Sequence, residues 1–327
     1  MPYRYVSLAL LVGFAAALSA CGGGEVRIND FDRAALGANP GTVSDSYLDL
    51  KSKKNLKGIT KVAMRDFQVS FVVSKGAKAG RITSVSSGAL LQGPTSDNLQ
   101  TLTDKIYDDF VAGLKKDGVE VVSWDQAKDG EQAKKFIADS KPTPYKADPS
   151  MSQGLEYMVF TPHGMPLNIE GFVQYGDSSH SKFAKEAGAQ AALSIDLTVD
   201  FVKFKGTSGG GMASMSSKPV LAVADKGLHH SLLAAPVPTQ LKLVRAEGGT
   251  AVIKLKETVE TATPFGELAK ASDHSLLLAG SAGGIGGISS RRLSYNVNTQ
   301  PAVFEEKVLD LVAQVREMFL YAYRTNR

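Results

Sequence analysis

The chain has 327 residues, 43% of them hydrophobic, with 37 Lys and Arg against 33 Asp and Glu for a net charge of +4. That is a globular composition, long enough for one large or two small domains around a sizeable core, and its charge is too mild to indicate a nucleic-acid partner. A single cysteine, Cys21, excludes a disulfide framework within the chain.

Arg4 gives the amino terminus a positive charge, Val6 to Leu18 form an apolar run, and small residues follow, which is the layout of a secretory signal. The run falls short of the roughly 20 apolar residues that a spanning helix needs. Leu18-Ser19-Ala20-Cys21 closes it and resembles the lipobox of bacterial lipoproteins. The resemblance implies that residues 1–20 are removed and that Cys21 carries a diacylglycerol on its thiol and an acyl chain on its new amino group. Several chains on one residue make a durable anchor, since each buried methylene contributes about 0.8 kcal/mol and one chain alone is marginal. Gly22 stands where that family's inner-membrane retention signal has Asp, which favours the outer membrane, with the protein facing the periplasm. An acylated Cys21 leaves no thiol for a nucleophile or a metal. Residues 21–55, with Gly22 to Gly24 and the turn pair Pro40-Gly41, read as a flexible tether in which Tyr47 to Leu50 is a short amphipathic piece.

The body is expected over residues 56–327. Phe67, Val69, Phe71 and Val73 alternate with Asp66, Gln68 and Ser70, the period of a strand buried on one face. Residues 74–100, rich in Gly, Ser, Lys and Pro, read as an inserted loop or flap, with Ile82 to Val85 as a candidate short strand and Ala89-Leu90-Leu91 as an apolar piece. Leu102, Ile106, Phe110 and Leu114 recur every four residues, with Thr101 or Thr103 as a cap and Gly118 as the stop, predicting a helix. Val119 to Trp124 reads as a buried strand. A second insertion, 125–179, is polar, with a helical piece at 131–138 and strands at 155–160 and 169–175. A short helix over 179–187 stops at Gly188, and 191–201 alternate as a half-buried strand. Residues 206–219 read as a small-residue loop, and 241–245 with 250–259 as a hairpin. Further strands are expected at 276–279 and 293–297, on either side of the glycine tract Gly280 to Gly287. A long helix ends the chain, with Pro301 in its first turn and Phe304, Val308, Leu311, Val312, Val315 and Phe319 as its stripe. The fold class is α/β (α+β): a mixed sheet covered by amphipathic helices, with a β-hairpin and a long C-terminal helix.

Lys61 to Phe67, the helix end running into Gly118-Val119-Glu120-Val121-Val122, and Phe183-Ala184-Lys185-Glu186-Ala187-Gly188-Ala189 running into Leu193 resemble the curli-secretion-channel (CsgG-like) lipoproteins and the related TolB amino-terminal domain. The resemblance spans about residues 57–325 and implies an envelope lipoprotein whose domain builds assemblies and lacks catalytic residues. The long insertions depart from that pattern. No pair of clean alternating segments of about 9 to 11 residues marks a lipid-facing hairpin, so a secretion pore is not indicated.

The strongest enzymatic pattern is Gly176-Asp177-Ser178 between a strand and a helix, which looks like the nucleophile block of GDS-type esterases. The Asn-bearing block and the late Asp-x-x-His of that family are missing, and a helix cap explains the triplet as well. Asp196 and Asp200 lie about 13 Å apart along one strand, wider than the roughly 6.5–9.5 Å of an inverting glycosidase pair, so a solvated face is the expectation. Adjacent His229-His230 point to opposite faces of a strand and give no metal site. Gly280 to Gly287, followed by Ser289 to Arg292, matches no phosphate-loop spacing and reads as a loop or a contact with a neighbouring subunit. No cofactor is expected. The function expected is that of a noncatalytic scaffold or accessory subunit of an envelope assembly or transport system, held by lipid on Cys21 and binding protein partners, including copies of itself. The alternatives are an anchored esterase using Ser178 and a ligand-binding lipoprotein using the loops at 74–100 and 206–219.

Overall fold

The computed structural model describes residues 25–80, 84–147, 154–168, 177–209, 212–227, 237–271 and 290–327. The chain enters through two short helices, α1 (Arg33–Ala38) and α2 (Pro40–Tyr47), an edge strand β1 (Leu48–Lys51) and a 3-10 turn, Lys53–Leu56. Two long strands follow, β2 (Lys61–Ala79) and β3 (Ser84–Gln92), then α3 (Ser96–Lys116), β4 (Glu120–Val122), α4 (Trp124–Ala127), α5 (Glu131–Ala138), β5 (Tyr145–Lys146) and β6 (Leu155–Phe160). The second half runs α6 (Asp177–Glu186), β7 (Ala191–Gly209), β8 (Met212–Val223), β9 (Gln240–Arg245), β10 (Thr250–Leu255), β11 (Val259–Thr261), β12 (Glu267–Lys270), β13 (Ser290–Asn298) and α7 (Pro301–Asn326). The expected mixed α/β class, with a hairpin (β9–β10) and a long C-terminal helix, is what the chain adopts.

The strands join in one mixed sheet ordered β1-β10-β9-β7-β2-β3-β13-β12, with β4, β5, β6, β8 and β11 branching from it. Parallel β2 and β7 form its centre. Their period-two pattern sorts the two faces. Leu50, Ile253, Leu241, Ile195 and Phe67 are successive cross-strand partners, and this apolar face is covered by α3 and α7. Phe67 meets Tyr107 and Phe110 of α3 edge-on, with ring centroids 5.3 and 5.6 Å apart. The expected stripe of α7 is buried, and Tyr323 near its end donates a 2.8 Å hydrogen bond to the Ile59 carbonyl. On the other face lie α5 and α6, where Trp124 stacks on Phe183 and Phe136 packs against it.

Helix α3 begins earlier than the periodicity suggests because Thr95 and Asn98 form a capping box that satisfies its first N–H groups. Just before it, Gly93 has φ +122°, and a Cβ there would meet the Thr299 carbonyl oxygen at 1.9 Å, so only glycine fits this approach of β3's end to the start of α7.

The tether expected over residues 21–55 is corrected: from about Val26 the chain is part of the body. Val26, Phe31, Leu36 and Leu48 are buried, Pro40 starts α2 instead of a turn, and β1 extends the sheet by pairing with β10. Two further corrections concern expected loops. Residues 74–100 hold the end of β2, all of β3 and the first turn of α3, while 206–209 and 212–219 belong to the paired strands β7 and β8. Beyond the central pairing, β2–β3 and β7–β8 continue as two hairpins that pack on each other, with Gly206 against Ala79 and Lys75 bonded to Asp200 and to the Val202 carbonyl. Close approach of two layers needs Gly, Ala and Ser, and those residues erase the hydrophobic alternation by which strands are read. Within 125–179, the expected helix is α5 and the expected strand is β6, while the strand expected at 169–175 lies outside the described residues, as does that at 276–279. The strand expected over 119–124 is confined to β4, since Ser123 caps α4.

Candidate functional site

The polar side chains of the sheet converge on the face toward α5 and α6. Gln68, Asp196 and Gln240 are cross-strand partners in one row, and Asp66, Ser194 and Lys242 in the next. A β-bulge between Met64 and Asp66 inserts Arg65 as an extra residue and turns both Arg65 and Asp66 to this face, which a regular strand would not do. The Arg65 guanidinium lies 4.2 Å above the Phe136 ring and its Nη1 donates to Asp66 Oδ2 at 2.6 Å, with Arg65 1% and Asp66 4% exposed. Gln68 Nε2 donates to Asp66 Oδ2 at 2.9 Å and to the Asn168 carbonyl at 3.1 Å. Asn168 Nδ2 in turn donates to the Phe136 carbonyl, and Gln240 Nε2 to Asp196 Oδ2.

The six strand residues of the two rows, with Asn168 and with His180 from α6, line a recess of ≈ 50 Å³. Such a volume has room for a few water molecules and is far below the roughly 300–1,000 Å³ of a small-molecule pocket. Charges of both signs meet there and hold one another. Asp66 is paired with Arg65, and Lys242 reaches Asp177 at 2.9 Å. Burial pulls the Asp177 carboxyl upward, but hydrogen bonds from Thr250 and Lys242 and the nearby charges of Lys242 and His180 outweigh it and hold its pKa below the ordinary carboxylate value. The arrangement can retain water and orient polar groups.

The structure separates several residues that the sequence singled out. Asp177 and Ser178 open α6, both exposed, while His180 is buried on the inner side of that helix beside Phe136, with centroids 6.2 Å apart. Residues two apart on a helix do not face each other, so Ser178 and His180 do not form a nucleophile and base. Asp196 lies in the recess, whereas Asp200 is tied to Lys75 and accepts from the Phe201 and Val202 N–H groups. The face expected to be solvated is largely covered, with Ser194 6% and Thr198 5% exposed. Cys21, His229-His230 and the tract Gly280 to Gly287 lie outside the described residues. Arg65, Asn168 and His180 have no sequence signal: their role depends on a bulge and on segments distant in the chain.

Among the described residues no group of three or more His, Cys, Asp or Glu is gathered as a metal site, and no helix is long and apolar enough to cross a membrane. Comparison with protein-family models, curated proteins and solved structures returned no match.

Proposed function

We propose that this chain is a noncatalytic lipoprotein of the bacterial outer membrane, facing the periplasm, anchored through lipid on Cys21 and serving as a scaffold or accessory subunit of an envelope system. The observation that carries the reading is the lipobox Leu18-Ser19-Ala20-Cys21 closing a short apolar run at the start of the chain. Two structural features support the noncatalytic part. At the recess Asp66 is paired with Arg65 and Lys242 with Asp177, and Ser178 is exposed while His180, the only histidine of that helix, is buried. The CsgG-like resemblance supports a role in assemblies with protein partners or with copies of itself.

Intact mass of the protein extracted from membranes tests the anchor. A chain starting at Cys21 and heavier by a diacylglycerol and one acyl chain is the expected result, with Cys21→Ser yielding neither cleavage before residue 21 nor added lipid. An unmodified Cys21 in the wild-type protein overturns the reading. Replacing Ser178 by Ala should leave any background hydrolysis of short-chain esters unchanged, and loss of such activity would move the esterase reading ahead.

A further inference from the structure

The Lys and Arg of this nearly balanced chain are unevenly placed. The outer stretches of the two hairpins and the strand beside them, residues 67–79, 84–92, 201–209, 212–223 and 290–298, hold seven Lys and Arg and not one Asp or Glu. Two of the seven are in β2, two in β7, one in β8 and two in β13.

Their register spreads them around the end of the molecule. Lys78 and Arg292 both pair with Ser86 and therefore share one face of the β2–β3–β13 layer, both exposed. On the β7–β8 layer, Gly206 faces inward against Ala79, so the alternating Lys203 and Lys205 face outward. Lys203 lies directly across from Lys218, a like-charge pair that is unfavourable by itself. Glu260 neutralises Lys203 at 2.7 Å, but Lys218 is exposed and, with Lys78, has no hydrogen bond or ion pair among the described residues.

The beginning of the body lies on this same surface. Asp30 bridges to Glu260, the Phe31 N–H donates to the Glu260 carbonyl, and Lys205 donates to the carbonyl of Glu25, earlier in the chain, at 3.0 Å. Traced backward, the chain therefore climbs the outside of β7 from the level of Lys203 to that of Lys205. Cys21 is four residues beyond Glu25, a reach of at most about 14 Å. The distance along β7 from Lys205 to Gly209 is about 13 Å, which is within that contour length.

We propose that the paired ends of the β2–β3 and β7–β8 hairpins are a docking surface for anionic lipid headgroups, laid against the bilayer in which the lipid of Cys21 is held. The proposal rests on the anchor reading for its orientation, whereas the contact itself needs only the cations. Clustered Lys and Arg beside an anionic leaflet strengthen partitioning about fivefold per residue, within a Debye length of the surface.

The test uses the unacylated chain from Gly22, which keeps every described residue, in flotation with phosphatidylglycerol-containing or pure phosphatidylcholine vesicles. Expected are binding to the anionic vesicles alone, release in high salt, and an affinity reduced on the order of 30-fold in Lys78→Gln/Arg292→Gln, the two exposed cations level with Ser86 beside the end of β2. The control Lys115→Gln/Lys116→Gln, at the far end of α3, should bind as wild type. Absence of binding, equal binding to neutral vesicles, retention in high salt or an unaffected Lys78/Arg292 variant would each overturn the proposal. Acylation of Cys21 is read separately from mass: a lipidated protein whose unacylated form ignores anionic vesicles removes this inference alone, and an unlipidated one that still binds them removes the anchor alone.

Discussion

The bulge at Arg65 shows how one inserted residue decides what a sheet face can hold. Arg65 and Asp66 are buried as a pair under Phe136, and an ion deprived of its partner in such a place is costly. Asp66→Ala should lower the unfolding free energy by about 3–5 kcal/mol, measured by urea titration. Arg65→Met/Asp66→Ala should be less destabilised than the sum of the single changes; strict additivity would show that the two do not act as a pair. Asp66 is legible in the sequence only as a polar residue alternating with Phe67, since a bulge has no sequence signature here and Arg65 looks like any surface cation. Tyr323 gives a pH prediction. Burial raises its pKa to about 12, against some lowering by Arg327, so the folded state keeps a proton that the unfolded chain loses near the ordinary value of 10.0. Its stabilisation is complete below that value and declines as pH rises toward about 12. Tyr323→Phe should flatten part of the alkaline fall in stability, while lowering stability near neutral pH by about 1–3 kcal/mol because the Ile59 carbonyl loses its donor.

Helices and hairpins differ in how far local pattern reveals them. The stripe of α7 and the Phe110 face of α3 are strong apolar repeats against one flat sheet face, so both are legible with nearly correct centres. The amino-terminal elements are not, since α1 and α2 are short, weakly apolar, and stabilised by packing on α7 and by the pairing of β1 with β10. Short helices depend on such tertiary contacts. A tether could be deleted without effect, whereas these residues bury Phe31, Leu36 and Leu48. The chain from Lys57 onward should therefore melt well below the chain from Gly22, by differential scanning calorimetry; equal melting temperatures would restore the tether reading. The outer hairpins are hidden for another reason: small polar residues satisfy a two-layer contact such as Gly206 on Ala79 without producing alternation. At the candidate recess, the strand positions Gln68, Ser194 and Asp196 are readable from alternation, while Asn168 and His180 are brought there only by the fold.

The whole molecule has two distinct ends, and its long strands set the distance between them. Strand β2 has 19 residues and so spans about 60 Å. Its start lies beside Glu120, whose N–H donates to the Thr60 carbonyl, and there α3 and α7 both finish, with Arg324 bonded to Asp117. Its other end is the basic hairpin pair, and there Lys205 holds the carbonyl of Glu25, the first described residue. A flexible tether would leave the body free to present any side to the bilayer, but Lys205 on the Glu25 carbonyl and Phe31 on the Glu260 carbonyl hold the first described residues to the hairpin layer. Acylated protein in vesicles should therefore stand with its hairpins at the headgroups and the ends of α3 and α7 far into the aqueous phase. Single cysteines can be labelled selectively, since the proposed acylation would consume the native thiol of Cys21. A donor dye at Ser208 should transfer energy efficiently to headgroup-bound acceptors, whereas one at Lys116, on the order of 60 Å away along β2, should transfer little. Inserting a long Gly/Ser linker between Gly24 and Glu25 should preserve this difference if the cations hold the hairpins to the surface, and should collapse it if the anchor alone sets the orientation.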